Sequence, residues 1–322
     1  MKDGYEREID YLRLSLTDRC QLRCRYCLPE TGVEWTSSDQ LLTDADIKLM
    51  VKAFAKLGVR KLKLTGGEPL LRPNLLPLIK ELKAIPGISE ISLTTNGVEL
   101  ASLITDLVTA GLDGVNISLD TLDQTRYQLM TRKNQLTQVL AGLEKAVASQ
   151  SLEVKINCVL IQELNKDEIL KIVKLAQHDL VHVRFIEWMP MGSEQSFTAV
   201  SETEIQRVIK QHYGSFKQFD RKLGNGPARY IEIPGFIGKI GFISAVSHHF
   251  CKSCNRVRVT SDGFLKTCLY FKKGTDLKAA IKNGDLEIQI LRALTEKPKK
   301  HRFKSPHHKD DREQKSMIQI GG

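Results

Sequence analysis

The sequence lacks any apolar run long enough to cross a membrane. A membrane-spanning helix needs about 18 or more consecutive apolar residues, and no such run occurs in the 322 residues. The first eight residues, Met-Lys-Asp-Gly-Tyr-Glu-Arg-Glu, also lack the apolar core of a secretory signal. We therefore expect no membrane association and a cytoplasmic location.

Aromatic residues are scarce, at 6% of the chain, and no internal repeat is visible. The net charge of +10 favours an anionic partner, either a nucleic acid or a highly phosphorylated small molecule. Proteins that bind single-stranded nucleic acid usually stack bases on aromatic side chains, and the sequence shows no such platform. We therefore expect no nucleic-acid partner and favour the phosphorylated small molecule.

Short β-like runs alternate with amphipathic helical patterns over the first two thirds of the chain. Six strands are predicted, at Tyr11–Leu16, Arg60–Leu64, Ile88–Leu93, Gly114–Leu119, Glu153–Leu160 and Val181–Glu187. Helices are predicted at Asp44–Leu57, Asn74–Ala84, Leu100–Ala110, Gln135–Ser149 and Asp167–His178. Strict alternation favours a parallel sheet with crossover helices. Six units indicate an α/β fold of the incomplete (β/α)6 barrel type.

The pattern changes near residue 191. A helix is predicted over 201–213, followed by β-like runs at Ser215–Phe219, Ala228–Ile233, Lys239–Ile243 and Arg256–Thr260. Residues 297–309 are basic and polar and are predicted to form a loop. We therefore divide the chain into a barrel domain, 1–190, and a smaller α+β segment, 191–322.

Six of the seven cysteines form two trios, and these are the most specific chemical signal in the sequence. The spacings are Cys-x3-Cys-x2-Cys over 20–27 and Cys-x2-Cys-x13-Cys over 251–268. Disulfides are unusual in a reducing compartment, so clustered thiols indicate metal ligands. Three thiolates without a fourth suit a four-iron cluster with one open iron. The alternative is a zinc site completed by a distant residue. The seventh cysteine, Cys158, is predicted to be a buried structural thiol.

Unusual residues follow the predicted strands, where the active sites of parallel barrels gather. Thr65 to Pro69 follow the second strand, Thr94 to Gly97 the third, Ser118 and Asp120 end the fourth, and Met189 follows the sixth. Within Gly66-Gly67-Glu68-Pro69, the paired glycines would let the backbone approach a ligand closely, and Glu68 could accept hydrogen bonds from an ammonium group.

Several cations occupy strand positions where a charged residue needs a reason to face inward. Arg13 and Lys155 lie within apolar runs. Arg256 and Arg258 are two residues apart, so both point to the same side of a strand. Each could instead be a solvated outward side chain. Taken with the residues at the strand ends, they favour a site for a triphosphate, which requires convergent cations.

The first trio followed by Gly66-Gly67-Glu68-Pro69 resembles the radical S-adenosylmethionine superfamily. The second trio lies in Phe250-Cys-Lys-Ser-Cys-Asn-Arg-Val-Arg258 and is completed by Cys268. Together with Leu12-Arg-Leu-Ser-Leu-Thr-Asp-Arg-Cys20 and the terminal Gly321-Gly322, it resembles the GTP 3′,8-cyclase family of molybdenum cofactor biosynthesis. The resemblance runs from about residue 11 to residue 322.

The resemblance implies two [4Fe–4S] clusters and a set of ligand contacts. The first cluster would be held by Cys20, Cys24 and Cys27, and the second by Cys251, Cys254 and Cys268. Contacts with S-adenosylmethionine are implied for Tyr26, Gly67, Glu68, Ser118 and Met189. Contacts with GTP are implied for Arg13, Lys63, Thr94, Lys155, Arg256, Val257 and Arg258. Of these, Arg256 and Arg258 would act in catalysis with the first trio. Lys63 departs from the arginine that relatives commonly carry, and so loses a bidentate fork.

The resemblance also implies a reaction and partners. S-adenosylmethionine would be cleaved reductively and GTP cyclised, with the terminal glycines entering the active-site cavity. The implied partners are a flavodoxin- or ferredoxin-type reductant, a downstream cyclic pyranopterin monophosphate synthase and a second copy of the chain. Two alternatives stay open: a peptide-modifying enzyme of the same superfamily, and a metal-binding nucleic-acid protein without enzymatic activity.

Overall fold

Apolar and polar side chains alternate along the central strands, and this alternation sets the architecture. The computed structural model describes residues 1–29, 31–191, 197–221, 223–303 and 311–321. In this structure Leu12, Leu62 and Ile91 are fully buried on the helix-covered side of the sheet. Their neighbours Arg13 and Lys63 point instead into a cavity on the other side. The helices thus cover an apolar outer face, and the inner face is polar.

The described residues form twelve strands and nine α-helices. The strands are β1 (Tyr11–Ser15), β2 (Lys61–Thr65), β3 (Glu90–Thr95), β4 (Gly114–Ser118), β5 (Glu153–Leu160), β6 (Val181–Glu187), β7 (Lys217–Phe219), β8 (Arg229–Glu232), β9 (Ile240–Ile243), β10 (Arg256–Val259), β11 (Phe264–Lys266) and β12 (Thr275–Asp276). The helices are α1 (Asp44–Lys56), α2 (Leu75–Lys83), α3 (Leu100–Thr109), α4 (Gln124–Thr131), α5 (Leu136–Ala148), α6 (Ile169–Lys174), α7 (Glu202–Tyr213), α8 (Leu277–Asn283) and α9 (Leu286–Thr295). No helix among the described residues is both long and apolar enough to cross a bilayer.

All twelve strands belong to one sheet, in the order β12-β11-β10-β1-β2-β3-β4-β5-β6-β9-β8-β7. The eight strands from β10 to β9 in this order run parallel to one another. On each side, the two outer strands pair antiparallel with their neighbours. Within the described strands the sheet stays open, with β12 and β7 at its edges. The predicted α/β fold, an incomplete barrel of parallel strands with crossover helices, is confirmed.

The segment after residue 191 continues the sheet on both sides of the six-stranded barrel. β9 pairs with β6, and β10 pairs with β1. Both edges of the barrel therefore have their backbone groups satisfied by strands from the same C-terminal segment. The division at residue 190 stays a prediction, and the two segments share one sheet.

Most of the predicted elements are present, with ends shifted by up to two residues, whereas some elements were not predicted. α6 differs more: it begins two residues late, after a 3-10 turn at Lys166–Glu168, and it ends at Lys174, four residues before the predicted end. α4 was missed because its apolar residues show no helical periodicity. α8 and α9 were also missed, although Asp276 caps α8 and Gly284 ends it in the left-handed region.

Thr43 begins α1 with a capping box. Its hydroxyl accepts a hydrogen bond from Asp46 N at 3.1 Å, and the Asp46 carboxylate accepts from Thr43 N at 3.1 Å. Two backbone donors at the start of the helix are therefore satisfied reciprocally.

We expect Thr43→Ala to lower the free energy of unfolding by about 1 kcal/mol, because the first turn loses its cap. Chemical denaturation of the wild type, T43A, D46A and the double variant measures this. The two single losses should add up to more than the loss in the double variant, since both residues serve one capping box. Strict additivity would show that the two hydrogen bonds act independently.

Candidate active site

The first cysteine trio lies on the loop after β1, and two glycines hold this loop in place. Gly67 N donates to Thr17 O at 2.7 Å, and Glu68 N donates to Arg19 O at 2.6 Å. A Cβ atom at Gly67 would lie 2.2 Å from Arg19 O. The close approach that the paired glycines permit is therefore to the backbone of the cysteine loop. A contact of Gly67 with S-adenosylmethionine stays a prediction.

Glu68 is fully buried and joins the loops that follow β2 and β3. Its carboxylate accepts hydrogen bonds from Leu70 N at 3.0 Å, Thr95 Oγ1 at 2.7 Å and Asn96 N at 2.7 Å. Burial raises its pKa to about 7. Asn96 in turn lies 3.7 Å from Cys20 Sγ through Nδ2. Glu68 thus orders the loops around the first trio, and its contact with an ammonium group stays a prediction.

A cavity of about 300 Å³ fills the inside of the barrel. Ten of the residues predicted to contact ligands line it, namely Arg13, Tyr26, Lys63, Thr94, Ser118, Lys155, Met189, Arg256, Val257 and Arg258. Four cysteines from both trios also line it: Cys27, Cys251, Cys254 and Cys268. Cys20, Cys24, Gly67 and Glu68 are not on its wall. The sheet therefore brings residues from distant parts of the sequence to one cavity.

The two trios lie at opposite ends of this cavity. The first follows β1, at the carboxyl ends of the parallel strands. Cys251 and Cys254 precede β10, which is parallel to β1, and Cys268 follows the antiparallel β11. The second trio is thus at the amino end of β10. A ligand lying between the trios would contact the first trio with one end and the second trio with its other end.

The cavity wall carries several buried cations. Burial, together with Arg184 and Lys155, lowers the pKa of Lys63 well below its usual value. Burial and the nearby Arg13 lower the pKa of Arg258 in the same way. Burying like charges together is unfavourable unless an anion compensates them. The wall is therefore suited to a polyanionic ligand.

Arg184 on β6 was not among the predicted site residues. Its side chain is buried at 7% exposure and lines the cavity. A signal was available, because Arg184 interrupts an apolar strand just as Arg13 and Lys155 do. Applying the same criterion to β6 would have identified it.

Arg7 fixes the backbone of the second trio, although sequence analysis gave the N-terminal segment no role. Its guanidinium donates to Cys251 O at 2.8 Å and to Pro298 O at 2.8 Å. The buried Asp3 carboxylate accepts from Arg7 Nε at 2.6 Å. The start of the chain thereby joins the cysteine loop to the segment after α9.

Cations also surround the thiols of the second trio. Burial opposes ionisation of Cys254, but Lys297 and Arg256 outweigh it and lower its pKa to about 7. At the first trio, burial instead raises the pKa of Cys20 to about 11. The protein therefore favours the thiolate at Cys254, whereas at the first trio a bound metal would have to supply the positive charge.

The donor sets fit iron–sulfur clusters better than single metal ions. All six thiols are free. Across the described residues, no three His, Cys, Asp or Glu side chains are arranged to hold one metal ion. A closed zinc site needs four ligands, with sulfur about 2.3 Å from the metal, whereas a four-iron cluster spreads its thiolates around a larger body.

Tyr26 connects the first trio to the end of β4. Its hydroxyl donates to the Asp120 carboxylate at 2.6 Å, and Asp120 also accepts from Val159 N at 2.7 Å. Burial raises the pKa of Asp120 to about 6. The hydrogen bond to Asp120 fixes the position of Tyr26 on the cavity wall. Ser118 also lies on this wall.

The C-terminal tail enters the site. Gly321 O accepts a hydrogen bond from Arg258 Nη1 at 2.9 Å. Gly321 has φ +73°, and a Cβ atom there would lie 2.9 Å from Ser15 Cβ, so only glycine fits. The buried ion pair between Lys266 and Glu313 anchors the tail upstream. Gly322 and residues 304–309 of the predicted basic loop lie outside the described residues.

Comparison with known proteins identifies relatives over the whole chain. Residues 14–176 match the model of the radical SAM superfamily, and residues 181–303 match Molybdenum Cofactor Synthesis C. A protein of Clostridium perfringens (strain SM101 / Type A) named GTP 3′,8-cyclase is 45% identical over 326 residues, covering 100% of both chains. A protein of the same name from Moorella thermoacetica is 42% identical, also covering 100% of both.

Among solved structures, Streptococcus suis SuiB bound to S-adenosylmethionine superposes with a TM-score of 0.62. The match covers 89% of this chain and 67% of SuiB, at 15% sequence identity. At that identity the similarity concerns the fold alone.

We expect the chain to become less stable as the pH decreases below neutral, because of the titration of His182. This residue neighbours Lys155 in the sheet. Burial and Lys155 lower the pKa of His182 to about 4, whereas an unfolded histidine titrates near about 6.5. Between these values the unfolded chain binds one more proton, so unfolding becomes easier as pH decreases, by on the order of 1 kcal/mol per pH unit.

Urea unfolding between pH 4.5 and 7.5 measures this. His182→Gln should flatten the pH dependence, and His178→Gln, at an exposed position, should preserve it. Equal curves for wild type and H182Q would contradict the assignment.

Proposed function

The chain belongs to the radical S-adenosylmethionine superfamily and, within it, to the GTP 3′,8-cyclase family, and we propose that its cavity carries out that family's reaction on GTP. The observation that carries this proposal is the convergence of both thiol trios and the buried cations on one cavity. A nucleoside triphosphate has the charge that such a wall requires.

When bound, the first cluster would deliver one electron to S-adenosylmethionine, whose cleavage would give methionine and a 5′-deoxyadenosyl radical that takes H3′ from GTP and becomes 5′-deoxyadenosine. Joining C3′ to C8 and adding one further electron and proton would give (8S)-3′,8-cyclo-7,8-dihydroguanosine 5′-triphosphate. This is the first step of molybdenum cofactor biosynthesis, and it places the enzyme among the lyases. The match to Molybdenum Cofactor Synthesis C supports this pathway.

The chain's own residues would bind, orient and shield the reactants. Cys20, Cys24 and Cys27 would hold the first cluster, and Tyr26, Ser118 and Met189 would position S-adenosylmethionine at the carboxyl ends of the strands, with Gly67 and Glu68 ordering the loop behind. Cys251, Cys254 and Cys268 would hold a second cluster at the other end, beside the guanine base. Between them, Arg13, Lys63, Thr94, Lys155, Arg184, Arg256, Val257 and Arg258 would enclose GTP. Holding the two reactants in one cavity would supply proximity and displace water.

The proposal includes partners outside the chain. A flavodoxin- or ferredoxin-type protein would supply electrons, and a cyclic pyranopterin monophosphate synthase would consume the product. We further propose a homodimer, and a cytoplasmic location that keeps the thiols reduced.

The reconstituted enzyme should cleave S-adenosylmethionine in a GTP-dependent manner. Under anaerobic conditions with dithionite, 5′-deoxyadenosine should accumulate with GTP, and deuterium from 3′-labelled GTP should appear in it. Cleavage that GTP does not stimulate, or that a peptide stimulates instead, would preserve the radical chemistry and reject GTP as substrate. No cleavage by protein with its full iron content would reject the radical reaction.

Cys24→Ala and Cys254→Ala should separate the two clusters. C24A should abolish 5′-deoxyadenosine formation, since the first cluster loses a ligand. C254A should lose about half of the bound iron, because one of two equal clusters is removed, and should form no cyclised GTP. Cys158→Ala is the matched control, because this buried thiol lies outside both trios. Full iron content in C254A would contradict the second cluster.

A further inference from the structure

A loop from the C-terminal segment closes the cavity at the amino ends of the barrel strands. It joins β7 to β8, and its residues Gly224, Asn225, Gly226 and Pro227 all line the cavity. We call these four residues the floor loop. The first trio lies at the opposite, carboxyl ends of the strands, so the floor loop sets how deep the cavity is on this side.

One hydrogen bond fixes the floor loop to the barrel, and Gly224 packs closely against β5. Asn225 is buried at 7% exposure, and its Nδ2 donates to Glu90 Oε1 at 2.5 Å. Glu90 is the first residue of β3. Gly224 faces the first residues of strand β5, since a Cβ atom there would lie 2.5 Å from Lys155 Nζ and 3.5 Å from Glu153 Oε2.

A buried ammonium group lies at the floor, next to Gly224. Lys155 Nζ is ion-paired with Glu153 and is buried beneath the loop. Lys63, Lys155 and Arg184 interact electrostatically across the inside of the barrel. The floor therefore offers cations, but two carboxylates, Glu90 and Glu153, already face them. An entering anion has to replace Glu153 at Lys155.

We propose that the floor loop determines the phosphate chain length that the enzyme accepts: by holding Lys155 at a fixed depth, it makes a triphosphate bind in preference to a diphosphate or a monophosphate. This inference rests on the proposed use of GTP. The second trio, at the amino end of β10, holds the base end of the nucleotide, so the phosphates extend along the wall toward β5. A third phosphate is the group that reaches Lys155, and it carries the charge needed to displace the Glu153 carboxylate.

Equilibrium binding of GTP, GDP and GMP to the anaerobic holoenzyme tests the proposal. Asn225→Ala should free the loop from Glu90, and Gly224→Ala should displace the Lys155 ammonium. In both variants the ratio of GDP to GTP dissociation constants should fall roughly tenfold, the loss of about one charge-assisted hydrogen bond. Affinity for GMP should stay within about twofold of wild type, since a monophosphate does not reach Lys155.

The chain offers a matched control outside the cavity wall. Gly235 has φ +83° and no atom within 4 Å of an added Cβ, so Gly235→Ala introduces backbone strain alone and should preserve the GDP-to-GTP ratio. N225A removes a side chain without creating positive-φ strain, so it decides the question even if G224A, at φ +68°, does not fold.

The outcomes are distinguishable. An unchanged GDP-to-GTP ratio in folded N225A would overturn the inference, and so would equal losses for GTP, GDP and GMP, which indicate a general loss of structure. If the wild-type holoenzyme binds none of the three nucleotides, the proposed function fails first, and the inference fails with it.

Discussion

Burial of like charges on the inner face of a parallel sheet is the constraint on which the rest of this structure depends. Each central strand places apolar residues under the helices, as Leu12 and Leu62 do, and directs their neighbours Arg13 and Lys63 inward. The hydrophobic outer face stabilises the fold. The cationic inner face costs free energy until an anion occupies the cavity. Stability and binding are thereby assigned to opposite sides of the same strands.

This division explains why the C-terminal segment is built into the sheet. A cavity in an open barrel would be exposed to water along its open side, and charges there would be screened. The segment adds β9 beside β6 and β10 beside β1, brings the second trio to the amino end of β10, and supplies the floor loop beneath β5. Arg7 then binds the backbone of Cys251, and Lys297 binds the backbone of Arg256 two residues after Cys254.

The residues next to the first trio hold the cysteine loop in position. The glycines at 66 and 67 admit the backbone of the cysteine loop, and Glu68 joins the loops after β2 and β3 through three hydrogen bonds. Neither group is on the cavity wall. A motif that accompanies a metal site in sequence can therefore order the loop that holds the metal, and sequence proximity alone does not separate this role from ligand contact.

The sequence by itself determined the parallel barrel, the two thiol trios and four of the cations on the cavity wall, Arg13, Lys155, Arg256 and Arg258, because these follow from periodicity, spacing and residue type within short windows. Arg184 could have been predicted by the same criterion. The helix α4 could not, because its sequence has no amphipathic pattern. Only the tertiary structure decided that the trios face each other from opposite ends, that Arg7 binds the Cys251 backbone, and that Asn225 reaches Glu90. These contacts join residues more than 100 positions apart, and their formation depends on strand order and register, which no local pattern encodes.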